Sequence, residues 1–341
     1  MNPIILGLDI GGANLKAYDS TGRAEVVPYE LFRDPNRLAD EVKALASRMA
    51  TPSAVVVTMT AELCDCFETL REGVLRIVSS LETIYQPGIL RIWGVDGAFH
   101  TTTTIRNEPA LAAASNWKAL GDCMAAEHFR ESSGLVIDIG STTTDILAVS
   151  NGKLLSESRT DLDRLQSSEL IYLGTLRTPL CAVVDEFKFR GRKTPVMREL
   201  FATVGDVYWT LGELVDSPEY LGTANGRPGT RGESRNRLAR MLGLDFEHFT
   251  DAEATDLAAQ ADKQIVRILE KAVATVSGKL PGSKPERIVV SGSGAFLARK
   301  IAEKVVPAER IIDLESIWGP EKTSAACAVA IVRLATEKLK V

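Results

Sequence analysis

Short apolar runs alternate with longer segments of helical spacing along the first third of the chain. Residues 4–9 form an apolar run that ends in Asp-Ile-Gly-Gly, and residues 15–19 resume the apolar pattern before a Ser-Thr-Gly turn. This arrangement predicts two strands joined by a tight glycine turn. Apolar positions three or four apart predict helices, and Val-rich or Ile-rich runs predict buried strands. The predicted helices cover 36–50, 64–81 and 109–129, and the predicted strands cover 54–58 and 89–95.

The same pattern restarts in the middle of the chain. The sequence Leu135-Val-Ile-Asp-Ile-Gly-Ser copies Leu6-Gly-Leu-Asp-Ile-Gly-Gly. A second pair of strands is therefore predicted at 134–138 and 143–149. Asn151-Gly152 is a strong hairpin signal, and it predicts a third strand at 153–160. We interpret this repeat as two similar halves that face each other.

The remaining sequence is less regular up to about residue 250 and then alternates again. It predicts a helix at 251–278, a strand at 287–291 followed by a helix, a short strand at 310–314 and a closing helix at 322–339. Strands that alternate with helices predict an α/β fold. The predicted domains are 1–130 together with 320–341, and 131–319 with an insertion at about 160–250.

Composition and charge narrow the class of protein. The chain has 341 residues, which is too long for one ordinary core, and its formal net charge of −5 argues against a general nucleic-acid binder. No apolar run approaches the roughly 20 residues that span a bilayer, and the first residues lack the basic region of a signal peptide. The five cysteines form no C-x-x-C pair, which favours reduced thiols over a structural metal site. We therefore expect a cytoplasmic protein without nucleic-acid or membrane partners.

The first candidate motif is the glycine turn after the opening strand. Gly11 and Gly12 let backbone N–H groups approach an anion closely, and Asn14 follows them. Asp9 ends the strand and offers carboxylate oxygens, the ligands that Mg²⁺ prefers. Lys16 adds a positive charge toward phosphate. A plain β-hairpin with a Gly-Gly turn is the alternative interpretation.

The second candidate motif begins at Asp138 and ends at Asp145. Small hydroxyl side chains after a glycine offer several hydrogen-bond donors in little space, which suits phosphate oxygens. Asp138 and Asp145 are candidates for metal and base roles, and a Thr-rich strand entry is the alternative. The phosphate-binding candidates of this motif are Gly140, Ser141, Thr142 and Thr143.

A third element, Gly292-Ser293-Gly294, leads from a predicted strand into a helix. A helix N-terminus that follows such a turn is a ready anion or nucleotide site. A lone Gly-x-Gly is weak evidence, so a simple strand-to-helix connection is an equal interpretation. Gly292 and Gly294 are added to the phosphate-binding candidates on this basis.

These three elements, in this order, resemble the phosphate-1, phosphate-2 and adenosine motifs of the actin, Hsp70 and sugar-kinase superfamily. The corresponding segments are 9–16, 138–145 and 290–295, and the predicted helices at 109–129 and 322–339 match the linking helices. The resemblance implies two RNase H-like domains with a ligand in the central cleft between them. It also implies Mg²⁺ near Asp9 and Asp138.

Within that superfamily the chain resembles the hydantoinase/oxoprolinase family, especially short members linked to tetrahydromethanopterin-dependent one-carbon metabolism and to methanofuran or methylofuran biosynthesis. The matching segments are 11–16, 114–117, 138–145, 203–208 and 235–240. The resemblance implies a transferase that couples an (aminomethyl)furan-methyl diphosphate to a phenolic acceptor of the γ-glutamyl-tyramine or tyrosine type and releases diphosphate. Ala13 replaces the Thr of many kinases, which removes one hydroxyl near the phosphates and argues against ordinary ATP hydrolysis. An ATP-dependent small-molecule kinase and an ATP-binding regulatory protein remain the alternatives.

The transferase hypothesis gives roles to further residues. Asp145 or Asp206 is the candidate general base for the phenol. The Arg-rich segment either binds phosphate or carboxylate groups, for which the guanidinium fork is suited, or is a solvated surface loop. Trp117 either stacks on a substrate ring or packs in the core. The substrate-binding candidates are Asn116, Trp117, Arg227, Arg231 and Arg235.

Overall fold

The computed structural model describes residues 3–339, and the first part of the chain forms a six-stranded mixed sheet. Its elements are β1 (Ile5–Ile10), β2 (Asn14–Asp19), β3 (Ala24–Pro28), α1 (Leu38–Ala46), β4 (Ala54–Met59), α2 (Leu70–Glu82), β5 (Leu90–Trp93), β6 (Phe99–His100) and α3 (Thr102–Asn107). The strand order is β3-β2-β1-β4-β5-β6, with β1 antiparallel to β2 and parallel to β4. Every residue of β1 and β4 is buried because the sheet is covered on both faces.

A second sheet repeats this arrangement. The strands of the rest of the chain are β7 (Ser133–Ile139), β8 (Thr144–Ser150), β9 (Lys153–Leu154), β10 (Leu170–Ile171), β11 (Glu186–Phe189), β12 (Arg192–Pro195), β13 (Arg287–Ser291) and β14 (Ile311–Asp313). The order in the second sheet is β10-β8-β7-β13-β14, and β7 is antiparallel to β8 but parallel to β13. Each sheet therefore contains an antiparallel hairpin whose first strand also pairs with a parallel strand: β1-β2 with β4 in the first sheet, and β7-β8 with β13 in the second. This confirms the predicted α/β fold with two RNase H-like halves.

Two helices cross between the halves. The remaining helices are α4 (Asn116–His128), α5 (Asp161–Gln166), α6 (Val204–Leu211), α7 (Arg231–Arg240), α8 (Asp251–Ser277), α9 (Ala295–Ala302), α10 (Leu314–Trp318), α11 (Pro320–Ser324) and α12 (Ala326–Lys338). Helix α4 follows the first sheet but packs on β8 and β9, whereas α12 ends the chain and packs on β1, β2 and β4. A Cβ on Gly7 would lie 2.5 Å from the Ala328 carbonyl oxygen, so α12 approaches β1 only because Gly7 lacks one. The domain boundaries at residues 130 and 320 stay a prediction.

Several element boundaries differ from the sequence-based expectation. The predicted helix at 109–129 begins only at Asn116, because Ala114 has a φ of 46° and interrupts it. The predicted helix at 322–339 is broken at Ala325 into α11 and α12. The third strand of the second sheet ends at Leu154. Asn151 and Gly152 have φ values of 49° and 74°, which confirms the predicted hairpin turn.

The insertion at 160–250 contributes α5, α6, α7 and the isolated β11-β12 hairpin. Its apolar side chains join the core of the second half, and α6 and α7 pack against α8. Within residues 3–339, no helix has both the length and the apolar character that crossing a membrane requires.

Candidate active site

A cavity of about 600 Å³ lies where the turns of the two opening hairpins face each other. It is lined by residues from both halves of the chain, including Asp9 and Asp138. The predicted phosphate-binding residues that line it are Gly11, Gly12, Asn14, Lys16, Gly140, Ser141, Thr142 and Thr143. The structure therefore brings two motifs that are far apart in sequence into one cavity.

The two hairpin turns have the same backbone geometry. The N–H of Gly11 donates to the carbonyl of Asn14 at 3.1 Å, and the N–H of Gly140 donates to that of Thr143 at 2.9 Å. A Cβ on Gly12 would lie 2.7 Å from Cys64 Sγ, so the first turn packs too closely for any other residue without a shift. Gly12 thus lets the first turn lie close to Cys64 at the cavity.

The cross-strand partners of the two strand-end aspartates differ. Asp9 lies opposite Lys16 in the register of the first hairpin, and Lys16 Nζ is 3.5 Å from Asp9 Oδ2. Asp138 lies opposite Asp145 in the second hairpin. Like charges in such cross-strand pairs are destabilising. Asp145 forms an ion pair with Arg164 instead, which leaves Asp138 as the carboxylate without a paired cation in this group.

The pKa values follow from this difference. Burial raises the pKa of Asp138 to about 6, and the negative charge of Asp145 adds to the rise. Burial also raises the pKa of Asp9, although Lys16 opposes it. Burial favours neutral Lys16, but the charge of Asp9 and then that of Asp138 raise its pKa. The cavity therefore combines a protonated lysine with a carboxylate that titrates near neutral pH.

The buried carboxylate oxygens are consistent with a magnesium ligand set. The Oδ1 atoms of Asp9 and Asp138 are buried and have no hydrogen-bond partner in the described chain. Among residues 3–339, no group of three or more His, Cys, Asp or Glu is placed to hold a metal ion. Mg²⁺ commonly binds one or two carboxylates and takes its other ligands from water and substrate phosphates. Asp9 and Asp138 therefore fit Mg²⁺ bound together with a phosphate-bearing ligand.

The first turns of the two crossing helices also face the cavity. Asn116 begins α4 and Cys327 lies in the first turn of α12, and both residues line the cavity. Helix N-termini carry a partial positive charge and free N–H groups. The cavity therefore presents several features that favour an anion. Asn116 is the one predicted substrate-binding residue that the structure places there.

Asp206 lies outside the cavity, which corrects its proposed role as general base. Its side chain is fully buried and accepts hydrogen bonds from Arg237 Nε at 2.7 Å and Ser234 Oγ at 2.9 Å. It also accepts from the N–H of Thr203 at 2.9 Å and so caps α6. These contacts join α6 to α7 and leave Asp206 no access to a substrate.

The Arg-rich segment also lies outside the cavity. Arg235 pairs with Asp251 at 2.8 Å, and Arg227 lies 3.6 Å from Glu233. Arg231 is exposed and begins α7. The segment lies between α6 and α7 and within α7, helices that pack on α8, and none of the three arginines lines the cavity. The expectation that these three arginines bind substrate is therefore not supported by their positions.

Three further candidates lie outside the cavity lining or in the core. Trp117 is 2% exposed, and the Arg164 guanidinium lies 4.5 Å from its ring centroid, which favours the core-packing interpretation. Gly292 and Gly294 do not line the cavity. A Cβ on Gly292 would lie 2.3 Å from the Ile139 carbonyl oxygen, so this glycine allows close packing behind the second hairpin turn.

Several residues at the site carried no recognisable sequence signal. Arg164 is 3% exposed and contacts Asp145 and Asp161 from α5. Arg177 and Tyr172 line the same cavity from the loops after α5. Gly174 lies between them in sequence and packs on the second hairpin turn, where a Cβ would lie 2.4 Å from the Thr142 nitrogen.

The chain is similar to one enzyme over its whole length and to a second over part of its length. It is 29% identical over 342 residues to (4-{4-[2-(gamma-L-glutamylamino)ethyl]phenoxymethyl}furan-2-yl)methanamine synthase of Methanocaldococcus jannaschii, with 99% of each chain covered. It is also 29% identical over 207 residues to the enzyme of the same name from Methanococcus vannielii. This match covers 60% of this chain and 91% of the relative.

Among solved structures, a ROK family glucokinase from Streptomyces griseus in complex with glucose and AMPPNP is 14% identical, with a TM-score of 0.46 and coverage of 98% and 99%. The model of the hydantoinase/oxoprolinase family matches residues 53–336, which is most of the sequence. This match confirms the resemblance noted from the motifs. The chain belongs to the hydantoinase/oxoprolinase family.

Proposed function

We propose that the chain is a transferase that joins an (aminomethyl)furan-methyl diphosphate to the phenol oxygen of a γ-glutamyl-tyramine or tyrosine-type acceptor and releases diphosphate. The observation that carries this proposal is the pairing of anion-binding turns with two carboxylates that have unpartnered oxygens in one cavity. A diphosphate with a divalent cation is a ligand that uses both features. The full-length similarity to the archaeal synthase supports the choice of substrates.

In this proposal the hairpin turns hold the diphosphate. The backbone N–H of Gly12, the hydroxyl groups of residues 141–143 and the Lys16 ammonium donate hydrogen bonds to its oxygens. Asp9 and Asp138 would hold Mg²⁺, which when bound supplies positive charge against the charge of the leaving group. These are the groups that a departing diphosphate needs, because negative charge accumulates on it as its bond to carbon breaks.

The transfer exchanges one carbon–oxygen bond for another. The bond between the furfuryl carbon and the diphosphate oxygen breaks, and its electron pair leaves with the diphosphate. The phenol oxygen then bonds to the carbon and loses its proton. Because a free phenol has a pKa near about 10, this proton needs an acceptor. Asp145 is the one of the two predicted bases that lines the cavity, and we propose that it accepts the proton.

The ATP-dependent alternatives have less support from the cavity. Gly292 and Gly294, which match an adenosine motif in the sequence, are absent from the described cavity lining. Ala13 lines the cavity but contributes no hydroxyl group toward a phosphate. Neither observation affects the binding of a diphosphate at the hairpin turns.

The test is incubation of the purified chain with an (aminomethyl)furan-methyl diphosphate, γ-glutamyltyramine and Mg²⁺ without ATP. Release of diphosphate, together with an ether product identified by mass spectrometry, is the expected result. A parallel incubation contains ATP labelled at the γ-phosphate with the same acceptor. Transfer of label to the acceptor, without ether formation, would support a kinase and contradict the transferase.

Asp138→Asn tests the assignment of the carboxylate. We expect turnover to fall by roughly 100-fold or more, because charge stabilisation by a bound cation contributes several kcal/mol. The far-UV circular dichroism spectrum should stay unchanged. Asp185→Asn is the matched control, since Asp185 forms an exposed ion pair with Arg198 and neither residue lines the cavity. Full activity of Asp138→Asn would remove Asp138 from the site.

A further inference from the structure

Arg177 is a cation that lines the cavity without an acidic partner. The other cations of the cavity lining are already paired, Lys16 with Asp9 and Arg164 with two aspartates. Within residues 3–339, no carboxylate lies within 4.0 Å of the Arg177 guanidinium. Its side chain is exposed. An arginine that faces a cavity with its hydrogen-bonding fork free is suited to binding a carboxylate or a phosphate of a ligand.

The backbone fixes the position of Arg177 beside the second hairpin turn. Its N–H donates to the carbonyl of Ser141 at 3.0 Å, and the N–H of Leu176 donates to the same oxygen at 3.1 Å. The positive charge of Arg177 also acts on Cys64 in the first half of the molecule. Burial raises the pKa of the Cys64 thiol to about 11, and the charge of Arg177 opposes that rise. The backbone of Arg177 is thus fixed in the second half, and its charge acts on Cys64 in the first half and on Tyr220 in the second.

Large apolar side chains line the same cavity and remain exposed. Phe32 and Leu63 belong to the first half and are 36% and 52% exposed, and Tyr172 belongs to the second half and is 58% exposed. Exposed apolar groups that line a cavity with a few polar groups are typical of binding sites for small molecules with rings. These three residues offer apolar contact from both halves of the molecule.

We infer that Arg177 binds a carboxylate of the phenolic acceptor, whose ring lies against Phe32, Leu63 and Tyr172. This inference rests on the proposed function. The glycine turns and Lys16 serve the diphosphate, so an exposed arginine beside apolar side chains is left for the acceptor. The guanidinium fork binds a carboxylate through two parallel hydrogen bonds. Arg177 therefore determines a preference for acceptors that combine a phenol with a carboxylate, as γ-glutamyltyramine does.

The experiment compares γ-glutamyltyramine with N-acetyltyramine, which keeps the phenol and lacks the carboxylate. Calorimetry measures binding of each acceptor to the wild type, to Arg177→Gln and to the control Arg192→Gln, whose side chain is exposed on the β11-β12 hairpin. We expect Arg177→Gln to bind γ-glutamyltyramine roughly 10- to 100-fold more weakly, the range for a charge-assisted hydrogen bond. Affinity for N-acetyltyramine and the KM for the furan diphosphate should stay unchanged.

Two outcomes would overturn the inference. One is equal affinity of the wild type and Arg177→Gln for γ-glutamyltyramine. The other is a rise in the KM for the diphosphate with acceptor binding unchanged, which would assign Arg177 to the diphosphate. If the wild type forms no ether product at all, the proposed function fails. The binding comparison still decides whether Arg177 recognises the acceptor carboxylate.

Discussion

Glu62 is a buried carboxylate next to the cavity lining, and its charge should be visible in the stability of the protein. Its side chain is 2% exposed. Oε1 accepts the N–H of Ala114 at 2.8 Å, while Oε2 is buried without a hydrogen-bond partner. Burial therefore raises the pKa of Glu62 from 4.5 to about 7. The contact also fixes Ala114, whose φ of 46° is unfavourable for a residue with a Cβ.

The sign of the effect follows from proton binding. Because the pKa is higher in the native state, the native state binds more protons than the unfolded state between pH 4.5 and 7. The free energy of unfolding therefore falls as pH rises through this window. The difference between the two pKa values corresponds to about 3 kcal/mol, present below the window and lost above it. Glu62→Gln keeps an acceptor for Ala114 and removes the charge, so it should be about 3 kcal/mol more stable than wild type near pH 8.

Urea unfolding of both proteins, followed by circular dichroism near pH 5 and near pH 8, measures this difference. Near pH 5 the advantage of Glu62→Gln should shrink to about 1 kcal/mol or less. Asp19→Asn is the control of opposite sign. Burial alone would raise the pKa of Asp19, but hydrogen bonds from Thr21 and Ala50 lower it, so this variant should lose stability near pH 8. A Glu62→Gln variant that is less stable than wild type near pH 8 would refute the reasoning.

Two further predictions concern packing around the site. Arg237→Met leaves the buried Asp206 carboxylate unpaired, so urea unfolding should show a loss of roughly 3–5 kcal/mol, while kcat of the folded protein stays unchanged. A loss of kcat at unchanged stability would contradict a structural role. Gly292 has a φ of 88°, and Gly292→Ala adds a Cβ that would lie 2.3 Å from the Ile139 carbonyl oxygen. The free energy of unfolding should therefore fall by at least about 1 kcal/mol. Gly191→Ala shares the positive φ but has open space, so equal losses in both variants would show that the contact with Ile139 costs nothing.

The hairpins around Asp9 and Asp138 were predictable because the same residues specify the fold and the candidate chemistry. A strand that ends in Asp-x-Gly gives both a turn and an acidic side chain at its tip. Because the motif occurs twice, the sequence predicts two similar halves that face each other. The carboxylates of Asp9 and Asp138 line one cavity, as this repeat implies. The pattern could not show that Ala114 and Ala325 interrupt the linking helices, because alanine favours helix, and the backbone N–H of Ala114 donates a hydrogen bond to Glu62, which lies 52 positions away.

Side chains from the insertion could not be placed from sequence. Arg237 and Asp206 are 31 positions apart and are both fully buried, although an Arg-rich helix normally indicates an exposed surface. Arg164 lies in no sequence motif that predicts a functional role. It nevertheless contacts Asp145 and Trp117. In both cases the partner is brought close by packing of elements, and periodicity describes only which face of an element is apolar.

The asymmetry between the two hairpins explains why a repeated structure has one chemically distinct carboxylate. Lys16 and Asp145 occupy the same position of the two hairpins, opposite Asp9 and Asp138 respectively. In the first half the cross-strand partner compensates the aspartate, whereas in the second half it is itself a carboxylate and takes its cation, Arg164, from the insertion. Burial raises the pKa of Asp138 to about 6, and the negative charge of Asp145 adds to the rise. If Mg²⁺ binds to Asp9 and Asp138 as proposed, its charge would lower the pKa of both carboxylates, and the effect should be larger for Asp138, whose cross-strand partner is an aspartate and not a lysine.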